Sequence, residues 1–225
     1  MTISEELEIR SEPNLFNPTI PIGGISKRTF DTVMALFALA STAIIFLIVA
    51  SVIPLLTRSS PIYRHERIGF SGRRFSCLKF RTMHIDADEK LAKHLAEDAS
   101  AAAEFAKYRK LSKDPRIIPV VGNFLRKTSL DELPQLFNVL SGDMSIVGPR
   151  PITEPEFEMY GKGQHYYVQA RPGITGLWQV SGRNERTFKE RVEIDCQYVG
   201  NWSFKRDLAI FFKTPFVVLT GRGAM

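Results

Sequence analysis

The chain reads as an α+β protein, mainly α-helical, with an N-terminal membrane-embedded helix, a small cytoplasmic domain and amphipathic helices at the membrane interface. Three observations predict this. Val33 to Ile53, VMALFALASTAIIFLIVASVI, carries no charge and as a helix reaches roughly 30 Å, about one hydrocarbon core. Between Pro61 and Arg81 the sequence alternates in the manner of a short strand pair. Beyond Arg81 the chain is dominated by helix-forming stretches at 83–111, Val121 to Lys127 and Ser129 to Gly142.

Composition bounds the answer. A chain of 225 residues, 44% hydrophobic and 24% charged, can bury one core and add a membrane element. Thirty Lys and Arg against 24 Asp and Glu give a net charge of +6 and a pI near 9.4, which suits an anionic partner such as phospholipid, a nucleotide or nucleic acid. Cys77 and Cys196 lie far apart and show no CxxC spacing, so neither a zinc site nor a disulfide framework is indicated, in keeping with a reduced compartment. His65, His84, His94 and His165 show no ligand spacing, and no GxGxxG, P-loop, GxSxG or HExxH motif occurs.

In chain order, residues 1–28 are polar and mixed in charge and read as a disordered arm. Residues 29–56 form the membrane helix, too long for a signal-peptide core and preceded by acidic residues. Lys27 and Arg28 precede it, while Arg58, Arg64, Arg67, Arg73 and Arg74 follow. The excess on the C-terminal side puts residues 57–225 in the cytoplasm. The basic N-terminal flank also permits a segment that enters and leaves on one face. That path needs a helix break, and Pro54 comes only at the end of the run, so re-entrant and spanning paths both stand.

Arg74 to Arg81 pairs back on Pro61 to Phe70 as a hairpin, and 83–111, rich in Ala, Glu, Asp and Lys, reads as one long exposed helix. Asp86-Ala87-Asp88 imitates a DxD metal motif, but residues two apart on a helix face different ways. Lys113-Asp114-Pro115-Arg116 makes a turn, a short helix covers Val121 to Lys127, and a new one starts at Ser129 and ends at Gly142. Ser129 and Glu132 have capping-box spacing, which recurs at Thr153–Glu156 and Thr187–Glu190. On spacing alone, capping is the stronger reading of Ser129-Leu130-Asp131-Glu132. The setting favours chemistry: Asp131 at a helix start, with Arg126 one turn back, is expected to stay ionised, and carboxylates serve as nucleophiles and metal ligands.

Arg126, Arg150, Arg171 and Arg183 each sit beside Gly, Pro or Ser in loops. Each alone reads as a surface salt bridge; as a set on rigid backbones they read as an anion pocket. Trp178 beside Gln179 suits stacking on and hydrogen bonding to a base, and equally a core tryptophan. The apolar end, Leu208 to Leu219, is too short and too broken by Pro215 to span; it lies in the interface or is buried.

These residues together resemble the bacterial sugar transferase family, the monotopic polyprenyl-phosphate phosphoglycosyltransferases, and most of all its short exopolysaccharide-initiating type. The carriers are KRTFD (27–31), CLKFRTM (77–83), DPR (114–116), LRKTSLDELPQLFNVLSGDMSIVGPRP (125–151) and RPGITGLWQVSGRN (171–184). The resemblance implies transfer of a hexose 1-phosphate, galactose or glucose, from a UDP-sugar to undecaprenyl phosphate at the bacterial inner membrane, with release of UMP. It implies Asp131 as the nucleophile that forms a covalent phosphosugar intermediate and Glu132 as the ligand of Mg²⁺. Phosphate and nucleotide contacts fall to Arg126 and the Pro149-Arg150-Pro151 element, with Arg171, Gln179 and Arg183 as further candidates. The chain departs from the family pattern in one place. Members carry a Ser-Pro in mid-helix that bends it into a re-entrant hairpin, and here that region reads Ala40-Ser41-Thr42-Ala43-Ile44. It also lacks the extra N-terminal membrane helices of longer relatives and is expected to be the minimal catalytic form; a homodimer is compatible with it.

Two other classes are weighed against the enzyme. One is a catalytically idle membrane scaffold of a polysaccharide assembly complex, in which Asp131 and Glu132 only cap a helix. The other is a nucleic-acid binder, disfavoured because the basic residues are spread through motifs rather than clustered on one helix.

Overall fold

The structure is a computed structural model that describes residues 18–108, 111–182 and 186–219. Its first element, α1 (Gly24–Thr57), is one continuous helix that contains Pro54. Helix is thus already present from Gly24, inside the stretch expected to be a disordered arm, and Lys27 and Arg28 belong to it; residues 1–17 lie outside the described residues.

Both ends of α1 are tied to the rest of the molecule. At the N-terminal end Lys27 and Asp31 are buried in an ionic network. Lys27 Nζ lies 2.6 Å from Asp207 Oδ2, and Asp31 accepts from the Ser145 hydroxyl at 2.7 Å and the Ile146 N–H at 3.0 Å. Asp207 accepts in addition from Tyr198 (2.7 Å) and Trp202 Nε1 (3.0 Å), so each buried carboxylate is fully engaged, as burial of charge demands. Ala35 joins the main core here, with Leu136, Val139, Val147 and Tyr198. At the other end Ile53 packs with Phe80 and Leu125, and Phe46 stacks on Phe80. Between these anchors the outward side chains, among them Leu36, Phe37, Ile44, Leu47 and Ile48, are exposed.

The expected hairpin is present. β1 (Ile62–Ile68) pairs antiparallel with β2 (Arg74–Phe80) in a register running from Ile62 opposite Phe80 to Ile68 opposite Arg74. The expected helix over 83–111 is two: α2 (Ala87–Glu97) and α3 (Ala99–Tyr108). Asp98 separates them, because its carboxylate accepts from the N–H groups of Ser100 and Ala101 and so starts a new helix rather than continuing the old. Asp86 pairs with Lys90 at 3.1 Å. The turn at Asp114 forms, closed by Arg116 on that carboxylate.

α4 (Val121–Thr128) is followed by a 3-10 turn (Leu130–Glu132) and α5 (Gln135–Ser141), which ends at Gly142 in the left-handed conformation. β3 (Ser145–Val147) pairs parallel with β4 (Gly173–Thr175). The two loops that flank this pair touch: a Cβ on Gly148 would lie 2.4 Å from the Arg171 carbonyl oxygen, so only glycine admits the approach. α6 (Glu154–Glu158), α7 (Gln164–Tyr167), α8 (Leu177–Val180), α9 (Phe188–Gly200) and α10 (Phe204–Leu219) complete the domain. α10 runs through Pro215, burying Asp207 and Ile210 on one side and exposing Phe212 and Phe216 on the other.

Candidate active site

The capping-box spacings divide. Thr153–Glu156 and Thr187–Glu190 both form the reciprocal cap. Ser129–Glu132 does not: Ser129 sits at φ 58°, ψ 17° and makes no side-chain cap. Glu132 is drawn instead to Lys79 of β2, whose Nζ lies 2.8 Å from Oε1. The stronger reading on spacing alone is therefore overturned at this position, and it fails because the backbone turns left-handed where a cap must be extended.

Asp131 is only 8% exposed. Burial is the dominant influence and raises its pKa to about 6; Lys79 and Arg126 act in the opposite sense, and Glu132 adds to the rise. Arg126 thus favours ionisation as expected, but burial outweighs it and the net shift is upward; at neutral pH the carboxyl still carries its charge. Burial also disfavours the Lys79 ammonium, but Glu132 and Asp131 reverse this and hold its pKa above the usual lysine value. Lys79 was not singled out from the sequence; its one signal was a place in the CLKFRTM run.

Arg150 occupies a second cationic group on the loop after β3. That loop is pinned from several sides. Tyr198 donates to the Val147 carbonyl (3.2 Å), the Arg150 N–H points at Asp195 Oδ2 (3.4 Å), and Pro149 accepts from the Gly173 N–H (2.8 Å). The Tyr167 hydroxyl accepts from the Ile152 N–H beyond Pro151 and lies 3.1 Å from the Arg150 carbonyl. Arg67, paired with Glu156 at 3.2 Å, is an electrostatic neighbour of Arg150. Cys77 links the two groups: burial raises its pKa, and the charges that bear on its thiol are Lys79, Arg67, Glu132 and Arg150.

The other predicted residues fall elsewhere. Arg171 donates from Nε to the Gly142 carbonyl (2.8 Å) and has Arg28, Asp31 and Asp143 as charged neighbours. Together with Arg28, which donates to the Val139 and Leu140 carbonyls, it closes the C-terminus of α5. Gln179 donates to the Ile174 carbonyl at 2.8 Å. Trp178 is buried, with the Arg150 and Arg191 guanidinium groups 5.3 Å and 5.4 Å from its ring centre, so it is a core ring rather than an open platform for a base. Arg183 lies outside the described residues.

A buried carboxyl with Lys79 and Arg126 as cationic neighbours, linked through Cys77 to the charged Arg150 loop, is equipped for chemistry on a phosphorylated substrate. Comparison with known protein families matches residues 22–221 to one, described as bacterial sugar transferase. The chain belongs to the bacterial sugar transferase family. This member is 48% identical over 204 residues to the exopolysaccharide production protein ExoY of Sinorhizobium fredii, covering 91% of this chain and 90% of that protein. The ExoY of Rhizobium meliloti gives the same identity and coverage. The undecaprenyl-phosphate galactose phosphotransferase of Salmonella typhimurium is 52% identical over 202 residues, which make up 88% of this chain and 41% of that longer protein.

Proposed function

We propose that this sugar transferase moves a hexose 1-phosphate, galactose or glucose, from a UDP-sugar to undecaprenyl phosphate, releasing UMP in the first membrane step of exopolysaccharide synthesis. The observation that carries the reading is Asp131 itself, a buried carboxyl with Lys79 and Arg126 as cationic neighbours in a chain of this family. An Asp131 oxygen attacks the β-phosphorus, and the bond from that phosphorus to the bridging oxygen breaks, its electron pair leaving with UMP. An oxygen of the lipid phosphate then attacks the same phosphorus and restores the Asp131 carboxylate. Lys79 and Arg126 offset the charge on the phosphates, which is the larger part of what phosphoryl transfer asks of a protein.

Glu132 presents a hard oxygen donor of the kind Mg²⁺ takes, an ion usually held by one or two carboxylates with its shell completed by substrate phosphates and water. Among the described residues no three His, Cys, Asp or Glu side chains converge, so a bound ion would depend on the substrate's own oxygens. When bound there it would neutralise the diphosphate.

The apolar substrate tail fits a membrane setting. Besides the exposed apolar side chains of α1, Val120 and Phe124 at α4 and Phe212 and Phe216 of α10 are exposed. With both ends of α1 fastened to the same domain, we place the helix along the cytoplasmic face of the inner membrane rather than across it. The scaffold reading loses its support with the absence of a Ser129–Glu132 cap. The test is UMP release from UDP-galactose and from UDP-glucose, with undecaprenyl phosphate and Mg²⁺, by protein in detergent. Lipid-dependent release that Asp131→Asn abolishes supports the transferase; folded protein that releases UMP from neither sugar returns the scaffold.

A further inference from the structure

Asp131, Gln135 and Asn138 stand at positions i, i+4 and i+7 of a run whose backbone stays helical through Leu133 (φ −52°, ψ −38°) and Pro134 (φ −63°, ψ −19°). They therefore share one face. All three are buried. Asn138 shows what this face looks onto, for its amide clamps β2, accepting from the Leu78 N–H at 2.9 Å and donating to the Ser76 carbonyl at 2.8 Å. The next residue of that strand, Lys79, is the cation that bears on Asp131. Gln135 lies between these two engaged neighbours and is 1% exposed, yet its Nε2 has no hydrogen-bond partner among the described residues. A buried donor left unpaired is costly, and where a native fold keeps one, a ligand, water or reaction intermediate is the usual reason.

We propose that Gln135 is a further residue of the reaction centre, its Nε2–H held to donate to a non-bridging oxygen of the phosphoryl group that Asp131 receives. The proposal rests on the transferase reading above. Asp131 is itself enclosed, so a phosphoryl group bonded to it enters the seam between α5 and β2, one helical turn from the amide. No proton changes hands: the N–H stays on Gln135, and the hydrogen bond strengthens as the bond from Asp131 to phosphorus forms and the bond to departing UMP breaks. Lys79 and Arg126 supply charge, and Gln135 adds a donor that finds its acceptor only in the reacting complex, an interaction that acts on kcat.

The test is Gln135→Met, close in shape and without a donor. Removing an unpaired donor leaves nothing stranded, so Tm holds or rises, which a purely structural role would not give. The expected result is kcat for UMP release lowered about 100-fold, the order found when one oxyanion donor is lost, with KM for the UDP-sugar within about 3-fold. The phosphosugar adduct on the chain, followed by intact mass without lipid acceptor, should form more slowly by the same factor. An unchanged rate, or rate and Tm falling together, overturns the proposal. Should the Met variant not fold, Gln135→Glu keeps the shape while its ionised form has no donor; the same loss is expected, and a full rate overturns. A wild-type chain that releases no UMP from either sugar defeats the transferase reading and this proposal with it, whereas normal wild-type release with an unaffected Gln135→Met defeats this proposal alone.

Discussion

A carboxyl group that attacks phosphorus must be ionised, and the fold makes ionisation of Asp131 harder by burying it, which raises its pKa to about 6 from 3.8. The sign of the consequence is definite. With the folded value above the unfolded one, the native state holds this proton more tightly between about pH 4 and 6, so stability falls as pH rises through that window and stays lower above it. UMP release is therefore expected to lose rate on acidification with an apparent pKa near 6. Asp131→Asn should lower transfer at least about 1,000-fold, as for loss of a covalent nucleophile. The same variant should be more stable than wild type by about 1–3 kcal/mol at pH 7.5, and by much less at pH 4. Chemical denaturation at both pH values checks this, and a variant less stable at pH 7.5 would contradict it. The proposed nucleophile was singled out from the sequence, because Asp131-Glu132 stands in an unmistakable run. Its environment was not legible: Lys79, whose Nζ pairs with the adjoining Glu132, arrives from a strand 53 residues before that glutamate. Nor do six letters show that a 3-10 turn buries one carboxylate and leaves its neighbour half exposed. Local spacing deceived for the same reason, since Ser129–Glu132 matches two genuine caps and is undone by a backbone angle and a distant lysine.

At the scale of elements, the sequence located α1 but left its path open, because hydropathy records how apolar a segment is and not what its ends touch. The ends decide it. The KRTFD run looks like a simple basic flank, yet Lys27 and Asp31 are engaged with Asp207 and Ser145, residues more than a hundred positions away. From Asp31 to Ile53 the axis rises about 33 Å, and both residues are packed on one domain. A spanning helix would have to break one of these anchors. Removing either partner from a buried ion pair costs about 3–5 kcal/mol. A cysteine placed at Thr19 and another at Ser60 should therefore resist a membrane-impermeant maleimide in intact spheroplasts and react in inverted vesicles. Labelling of Thr19→Cys from outside would show that the helix crosses. The hairpin was legible from its alternation, whereas the break at Asp98 was not, because aspartate is unremarkable in a charged helix until it turns to cap the next one.

For the whole molecule, these anchors change what the membrane helix is. The sequence suggests a boundary after residue 56, with an anchor on one side and a catalytic domain on the other, and α1 does end at Thr57. The core nevertheless runs through that boundary. Ala35 is buried with Val139 and Val147, the strand that carries the Arg150 loop, and Ile53 is buried with Phe80 and Leu125, which frame the turn holding Asp131. Removing α1 would also strand Asp207 in the interior without the Lys27 ammonium that neutralises it. A chain beginning at Arg58 is thus expected to lack a cooperative thermal transition and to aggregate, even in the detergent that keeps the full chain dispersed. If it instead melted cooperatively and released UMP, α1 would be a detachable anchor and the two cores separate. The reading favoured by the contacts is that the helix which meets the membrane is also the wall against which the turn of the proposed nucleophile is built, so that the buried Asp131 would be held at a fixed height relative to the membrane.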